Sequence, residues 1–282
     1  MTGKRKITVI FCAVAFLLLL GWVLWSNTAL ELNANKIESK DLPENFNGFR
    51  IAQVSDLHNT EMGQNNEKLL AMLRAAQPDM IAITGDLIDS RNTDVSIALQ
   101  FAQEAVKIAP CYYVSGNHES RVSEYTALKD GLEELGVKVL ANEKLEIRHE
   151  NEKISVLGLS DPAFENSYLF GDAATVADKH LQTLDGDNGF AILLSHRPEL
   201  MEVYADYEID LVLSGHAHGG QFRLPLLGGI YAPGQGLFPK YDAGLFELEN
   251  TKMIVSRGIG NSIIPIRFNN RPEVVLVILE SA

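Results

Sequence analysis

Cysteine, positive charge and internal repetition are all scarce in this chain, and each scarcity removes a class of protein. Only two cysteines occur in 282 residues. Cys12 lies inside a long apolar run, and Cys111 alone cannot form an internal disulfide in the rest of the chain, so a disulfide framework is excluded. Basic residues number 24 against 37 acidic. Lys4, Arg5 and Lys6 precede the apolar run; setting these three aside leaves 21 against 37, a balance of −16 for the remainder. Such a surface repels polyanions, so a nucleic-acid polymer is not expected as a partner. A small or lipid-borne anion held by a local positive charge is compatible with it. No segment is of low complexity and no motif recurs at a fixed period, which excludes solenoids and propellers. With 46% hydrophobic residues the chain can still bury one large core or two modest ones.

Charge is absent altogether from Ile7 to Trp25. As a helix these 19 residues would span about 28 Å, close to a hydrocarbon thickness of roughly 30 Å. The run is longer than the apolar part of an ordinary signal peptide, and Ser26-Asn27-Thr28-Ala29 is a poor cleavage site. Trp22 and Trp25 suit the far interface. The expected organisation is a cytoplasmic basic segment over 1–6, an uncleaved transmembrane signal anchor over 7–25 and a polar tether over 26–48. A folded domain over 49–282 would then lie on the outer face.

From residue 49 apolar runs alternate with helical patterns. FRIAQVSD (49–56), DMIAITGD (79–86) and CYYVSGNH (111–118) read as buried strands, followed by helices near 65–76, 94–108 and 122–135. Residues 137–160 look like short antiparallel strands. After a helix near 172–184 come FAILLSH (190–196), a helical stretch over 198–207 and DLVLSGH (210–216). Residues 243–280 are strand-like and antiparallel. The alternation predicts an α/β domain on mainly parallel sheet, with antiparallel edges. Five of the runs end in SDLH, TGD, SGNH, LSH and SGH. Ligands of open α/β sheets gather at the carboxyl ends of strands, so these five ends predict one site.

Asp56, His58, Asp86, Asn117, His118, His196, His216 and His218 stand there, and they include five of the seven histidines. A surface role would scatter histidines, as it does His149 in a turn and His180 on a helix. Together Asp, His and Asn offer mixed oxygen and nitrogen donors suited to manganese, iron or zinc, unlike a thiolate zinc site. In D-x-H and H-x-H, alternate residues of an extended segment project the same way, so each pair can approach one region. Eight donors exceed the needs of one ion. Two ions sharing a carboxylate would use all but one histidine. Glycines before Asp86, Asn117 and His216 allow sharp turns and close approach.

In their order along the chain, D-x-H, G-D, G-N-H-E, a lone H and G-H-x-H resemble the signature of the calcineurin-like metallophosphoesterases, over residues 49–280. FRIAQVSDLH, GHAHGGQFRLP and IPIRFNNRPE are similar to a membrane-associated bacterial branch, the YkuE- and YaeI-type phosphodiesterases. The resemblance implies a four-layer α/β/β/α sandwich of two mixed sheets flanked by helices. It also implies two divalent metal ions. Asp56, His58 and His218 would hold the first, Asn117, His196 and His216 the second, and Asp86 would bridge both. Two cations lower the pKa of a shared water and clamp phosphoryl oxygens, which implies attack of a metal-bridging hydroxide on a phosphodiester or pyrophosphate. His118 would be general acid to the leaving group, a role usually worth about 10²–10⁴-fold.

Arg223, shortly after G-H-x-H, could neutralise a substrate phosphate, and the Gly- and Pro-rich stretch 228–241 reads as a loop over the site mouth. Anchoring brings lipid-linked or cell-wall phosphates within reach. A metal-binding scaffold or receptor on the same fold would keep the ligands without turnover; the complete donor set with His118 argues for an enzyme. A metallo-β-lactamase-type hydrolase is excluded, because Gly219-Gly220-Gln221 follows His218 where its H-x-H-x-D-H block would continue. Fractionation of intact cells should find the chain in the membrane with its domain open to added protease. Full-length protein in the medium, or a protected domain, would sink the anchor.

Overall fold

The computed structural model describes residues 3–165, 172–184, 189–261 and 264–282; Met1 and Thr2 of the basic segment lie outside the described residues. The uncharged run forms most of α1 (Gly3–Thr28), among the described residues the one helix long and apolar enough to cross a membrane. Residues 6–22 are exposed throughout. The last turn is not. Ser26 is buried, Asn27 Oδ1 accepts the Arg267 N–H (2.8 Å), and Asn27 Nδ2 donates to the Arg267 carbonyl (2.9 Å). The Arg271 guanidinium lies 4.7 Å from the Trp25 ring centroid. The helix is therefore fastened to the domain at its carboxyl end.

Two residues later begins β1 (Glu31–Ser39), which corrects the reading of 26–48 as a tether. Six of its nine residues are polar, and the strand alternates between half-exposed and exposed, with Ile37 alone buried. Polarity concealed it because an edge strand needs only backbone pairing, which a late strand supplies. Arg257 and Arg271 also grip Glu31.

The chain then lays down β2 (Arg50–Val54), β3 (Met80–Thr84), β4 (Cys111–Val114) and β5 (Lys138–Val139). Helices α2 (Glu67–Ala76), α3 (Val95–Ala105) and α4 (Tyr125–Glu134) fill the crossovers. A second group comes after them: β6 (Glu143–His149), β7 (Glu152–Gly158), α5 (Ala173–Leu184), β8 (Ala191–Leu194), α6 (Met201–Asp206) and β9 (Leu211–Ser214). Two small hairpins come next, β10 (Arg223–Leu224) with β11 (Gly228–Gly229) and β12 (Tyr231–Ala232) with β13 (Gly236–Leu237). The chain closes with β14 (Gly244–Leu248), β15 (Thr251–Val255) and β16 (Glu273–Ser281).

Two six-stranded mixed sheets result, ordered β1-β16-β2-β3-β4-β5 and β14-β15-β9-β8-β7-β6. Strands β2, β3 and β4 are mutually parallel, as are β7, β8, β9 and β15; β16 runs antiparallel to β2 and parallel to β1. Side chains that alternate along one strand serve different layers. In β2, Ala52 and Val54 meet α2 and α3, while Ile51 joins Ile192, Leu194, Leu211 and Leu213 between the sheets. In β9, Val212 packs outward with Leu181 and Met201. This is an α/β/β/α sandwich, and strands buried on both faces explain the unbroken apolar runs.

Parallelism puts the carboxyl ends of β2, β3 and β4 at one end of the first sheet and those of β8 and β9 at one end of the second. Gln53 ties them together, donating to Thr84 Oγ1 (3.0 Å) and the Ser214 carbonyl (2.8 Å). If β1 is part of the folded body, Ile37→Ala should lower unfolding stability by about 2–5 kcal/mol. Urea denaturation would check it, since an unchanged midpoint would restore the tether.

Candidate functional site

The five strands stop at Val54, Thr84, Val114, Leu194 and Ser214, and the chain beyond them is not extended. Asp56, His58, Asp86, His216 and His218 have φ of 53, 47, 52, 65 and 48°, in the left-handed region that costs a non-glycine residue energy. The pairs D-x-H and H-x-H are thus set by left-handed turns, not by the extended alternation expected. Two glycines bring backbone against carboxylate. A Cβ on Gly116 would lie 2.2 Å from Asp86 Oδ1, and one on Gly215 would lie 2.4 Å from Asp56 Oδ2.

All eight residues singled out from the strand ends meet here, and none is more than 5% exposed. His218 Nε2 is 3.2 Å from His58 Nε2 and 3.4 Å from Asp56 Oδ1. His196 Nε2 is 3.2 Å from both Asp86 Oδ2 and His216 Nδ1. Asp86 Oδ2 also stands 3.6 Å from His58, so this carboxylate faces both groups. Three sets have donor atoms within 4.8 Å of one another and could hold a metal ion: Asp56–His58–His218, Asp86–His196–His216 and His58–Asp86–His118.

Electrostatics prepares the same chemistry. Burial pushes His58 down to about 3 and holds His216 and His218 well below the usual imidazole range, so all three keep a lone pair at neutral pH. Burial also opposes charge on His196, but the adjacent Asp86 outweighs it and lifts the ring to about 10. That pairing holds Asp86 well below the carboxylate range despite its burial. Burial raises Asp56 to about 6. Two enclosed carboxylates thus share one protonated imidazole. Buried negative charge is stable only when paired. Asn117 Oδ1, His58 Nδ1 and His218 Nδ1 are buried without a hydrogen-bond partner. A donor set this anionic, with unpartnered oxygen and nitrogen, fits divalent cations.

The calcineurin-like phosphoesterase profile matches residues 49–220, more than half of the chain and all five strand-end blocks. The chain belongs to this family. It is 30% identical over 265 residues to the metallophosphoesterase YkuE of Bacillus subtilis, covering 89% of this chain and 86% of that one. It is 27% identical over 239 residues to the phosphodiesterase YaeI of Escherichia coli, covering 83% of each. The transmembrane protein with metallophosphoesterase domain of Bos taurus is 31% identical over 255 residues, which span 86% of this chain and 55% of the relative. As a metallophosphoesterase, the chain is a phosphoric ester hydrolase.

Two residues that brace this phosphoesterase site were not among those singled out from the sequence. Glu119, fully buried, accepts N–H groups from Asp86 (3.0 Å), Gly116 (2.7 Å) and Ile88 (3.2 Å), clamping the turns after β3 and β4 together. In the sequence it is only the last letter of the G-N-H-E block. Arg197 forms a double hydrogen bond with Asp161 (2.6 and 2.9 Å) and brings Nη1 within 3.3 Å of His216 Nε2. Its one signal is its place, directly after His196 at a strand end. Arg223, expected to meet a phosphate, instead donates to Asp242 and to the Gly219 carbonyl, both at 2.9 Å. It staples loops, whereas the Arg197 guanidinium lies beside the cluster. The stretch 228–241 does border the site: a Cβ on Gly234 would lie 2.4 Å from Glu199, whose Oε1 is 3.9 Å from His216.

Asp86 approaches both donor groups, so Asp86→Asn should lower bound metal and activity together. Its loss should exceed the roughly 10–100-fold typical of outer hydrogen-bonding partners. Elemental analysis beside turnover checks this; wild-type metal content in the variant would show that the carboxylate is not shared.

Proposed function

We propose that the chain is a membrane-anchored phosphodiesterase that uses two divalent ions, with its domain on the outer face. Asp56, His58 and His218 would hold one ion, Asn117, His196 and His216 the other, and Asp86 both. Manganese, iron or zinc suits these donors. When bound, the ions activate a water nucleophile and neutralise phosphoryl oxygens as the ester breaks. The observation that carries the reading is the separation of His216 and His218 into two donor groups that Asp86 joins.

His118 is the residue beside the cluster with a distinct task. Its Nδ1 accepts the Ser90 backbone N–H at 3.0 Å, so the neutral ring carries its proton on Nε2. Burial lowers its pKa, against the pull of Asp86 and Asp89. Nε2–H can donate a hydrogen bond to the ester oxygen. Full proton transfer requires the ring to enter as imidazolium, with Nδ1–H turned from Ser90 to the Asp89 carboxylate 3.7 Å away. Both routes help a basic leaving group most.

The substrate class is a phosphodiester or pyrophosphate, lipid-linked or carried by the cell wall. YaeI, a relative of similar length, bears the name phosphodiesterase. The acidic domain disfavours long polyanions. Lys4, Arg5 and Lys6 before the apolar helix favour a cytoplasmic amino terminus.

His118→Asn should leave both metals bound and cut hydrolysis of alkyl diesters by about 10²–10⁴-fold, while nitrophenyl diesters are partly spared. His216→Asn should lose metal and damage both substrates alike. Equal loss on both substrates together with metal loss in His118→Asn would remove it from leaving-group assistance.

A further inference from the structure

Outside α1, the described residues include 11 large apolar side chains that are well exposed, and 8 of them fall in two short segments, 224–238 and 264–266. Neither segment contains a charged residue. Leu226 is wholly exposed, and Leu227, Leu237 and Phe238 are each more than 60% exposed. On a chain of net charge −13, this is an uncharged gap in an acidic surface. A monomer seldom leaves a contiguous apolar patch facing water without a use for it.

The two segments hang from the same backbone. The Arg223 N–H donates to the Phe268 carbonyl (3.0 Å), and Gln221 Nε2 donates to the carbonyls of Ile264 (2.7 Å) and Ile266 (3.0 Å). Phe238 is tied through Ile230 to Phe222 and Gly220. On one side, this surface adjoins the last turn of α1, because Arg267 exchanges two hydrogen bonds with Asn27. On the other it borders the metal-donor cluster, through Gly234 against Glu199 and through His218, two residues before Gly220. The end of the apolar helix, the uncharged rim and the cluster are therefore contiguous.

We infer that segments 224–238 and 264–266 dock into the interface of the bilayer that α1 crosses, so that the cluster opens on the headgroup layer and takes membrane-borne phosphoesters. This rests on the proposed membrane span. Continuity with α1 selects a bilayer as the occupant over a second copy or another protein. The flanking cations Arg223 and Lys240 are paired with Asp242 and Glu202, so the attraction is apolar and does not require anionic lipid.

The test uses the full chain carrying Cys12→Ser in phosphatidylcholine vesicles, with nitroxide labels on Leu226→Cys, Phe238→Cys or Ile266→Cys; Cys111 is buried and takes no label. Leu18→Cys in α1 is the lipid reference. Glu134→Cys, at the carboxyl end of α4 and so at the opposite end of the strands from the cluster, is the water reference. Collision with oxygen relative to a water-soluble nickel chelate should shift at 226, 238 and 266 away from the Glu134 value towards that of Leu18. Rim labels reading as water while Leu18 reads as lipid would overturn the docking and leave the anchor standing. Leu18 reading as water would overturn both. Rim labels shielded from oxygen and nickel alike would assign the face to a protein partner and overturn the bilayer.

Discussion

Two carboxylates enclosed at the ends of two sheets, Asp56 and Asp86, impose the constraint to which the rest of the site answers. Neither has access to water, and a buried anion must find positive charge or give up its own. Among the rings facing the pair, one imidazole, His196, is lifted to about 10 by Asp86, and it would release that proton on taking a cation. The other rings around the pair are kept neutral by burial, with lone pairs turned to one small volume. The deficit of positive charge is what makes the cluster receptive to cations. It also explains the close framing: glycine backbone against both carboxylates, the His216 N–H on Asp56 at 3.2 Å and the His118 N–H on Asp86 at 2.8 Å.

Each of the two proposed ions would take donors from both sheets. Asp56, His58, Asp86, Asn117 and His118 follow strands of the first sheet, and His196, His216 and His218 follow strands of the second. The core between the sheets is thus what keeps the donors at bonding distance, and Gln53 fixes the two ends against each other. Five left-handed residues at these ends store strain that isolated turns would release. Inter-sheet packing and the Glu119 clamp hold it. A cation bound across such a seam would stabilise the folded state along with the site.

The end of α1 gives the domain little freedom. Only Ala29 and Leu30 separate the helix from β1, and Asn27 is bonded to the strap that also carries part of the apolar rim. With α1 in a bilayer, the cluster has a defined height and facing relative to that bilayer, not a volume swept out on a flexible stalk. Rigid placement favours substrates that lie in the same plane over those in solution, because it removes a search in the third dimension.

The strand–helix alternation, the five polar strand ends and the eight residues on them were legible in the sequence, since each signal is local: an apolar run followed within a few positions by the donors it presents. What the sequence left open depends on distant partners. β1 is mostly polar and becomes a strand only because β16 offers its edge. Arg223 was the arginine expected to meet an anion, and only the fold gives it to Asp242 and sets Arg197 beside His216. Glu119 shows a carboxylate beside a histidine in the sequence; that it clamps three backbone N–H groups depends on two crossovers bringing turns together. The sequence by itself determined which atoms reach the site and from which strand ends. Tertiary structure alone decided which of them face one another, because donor groups as far apart in the chain as Asp56 and His218 meet only when two sheets close on a common core.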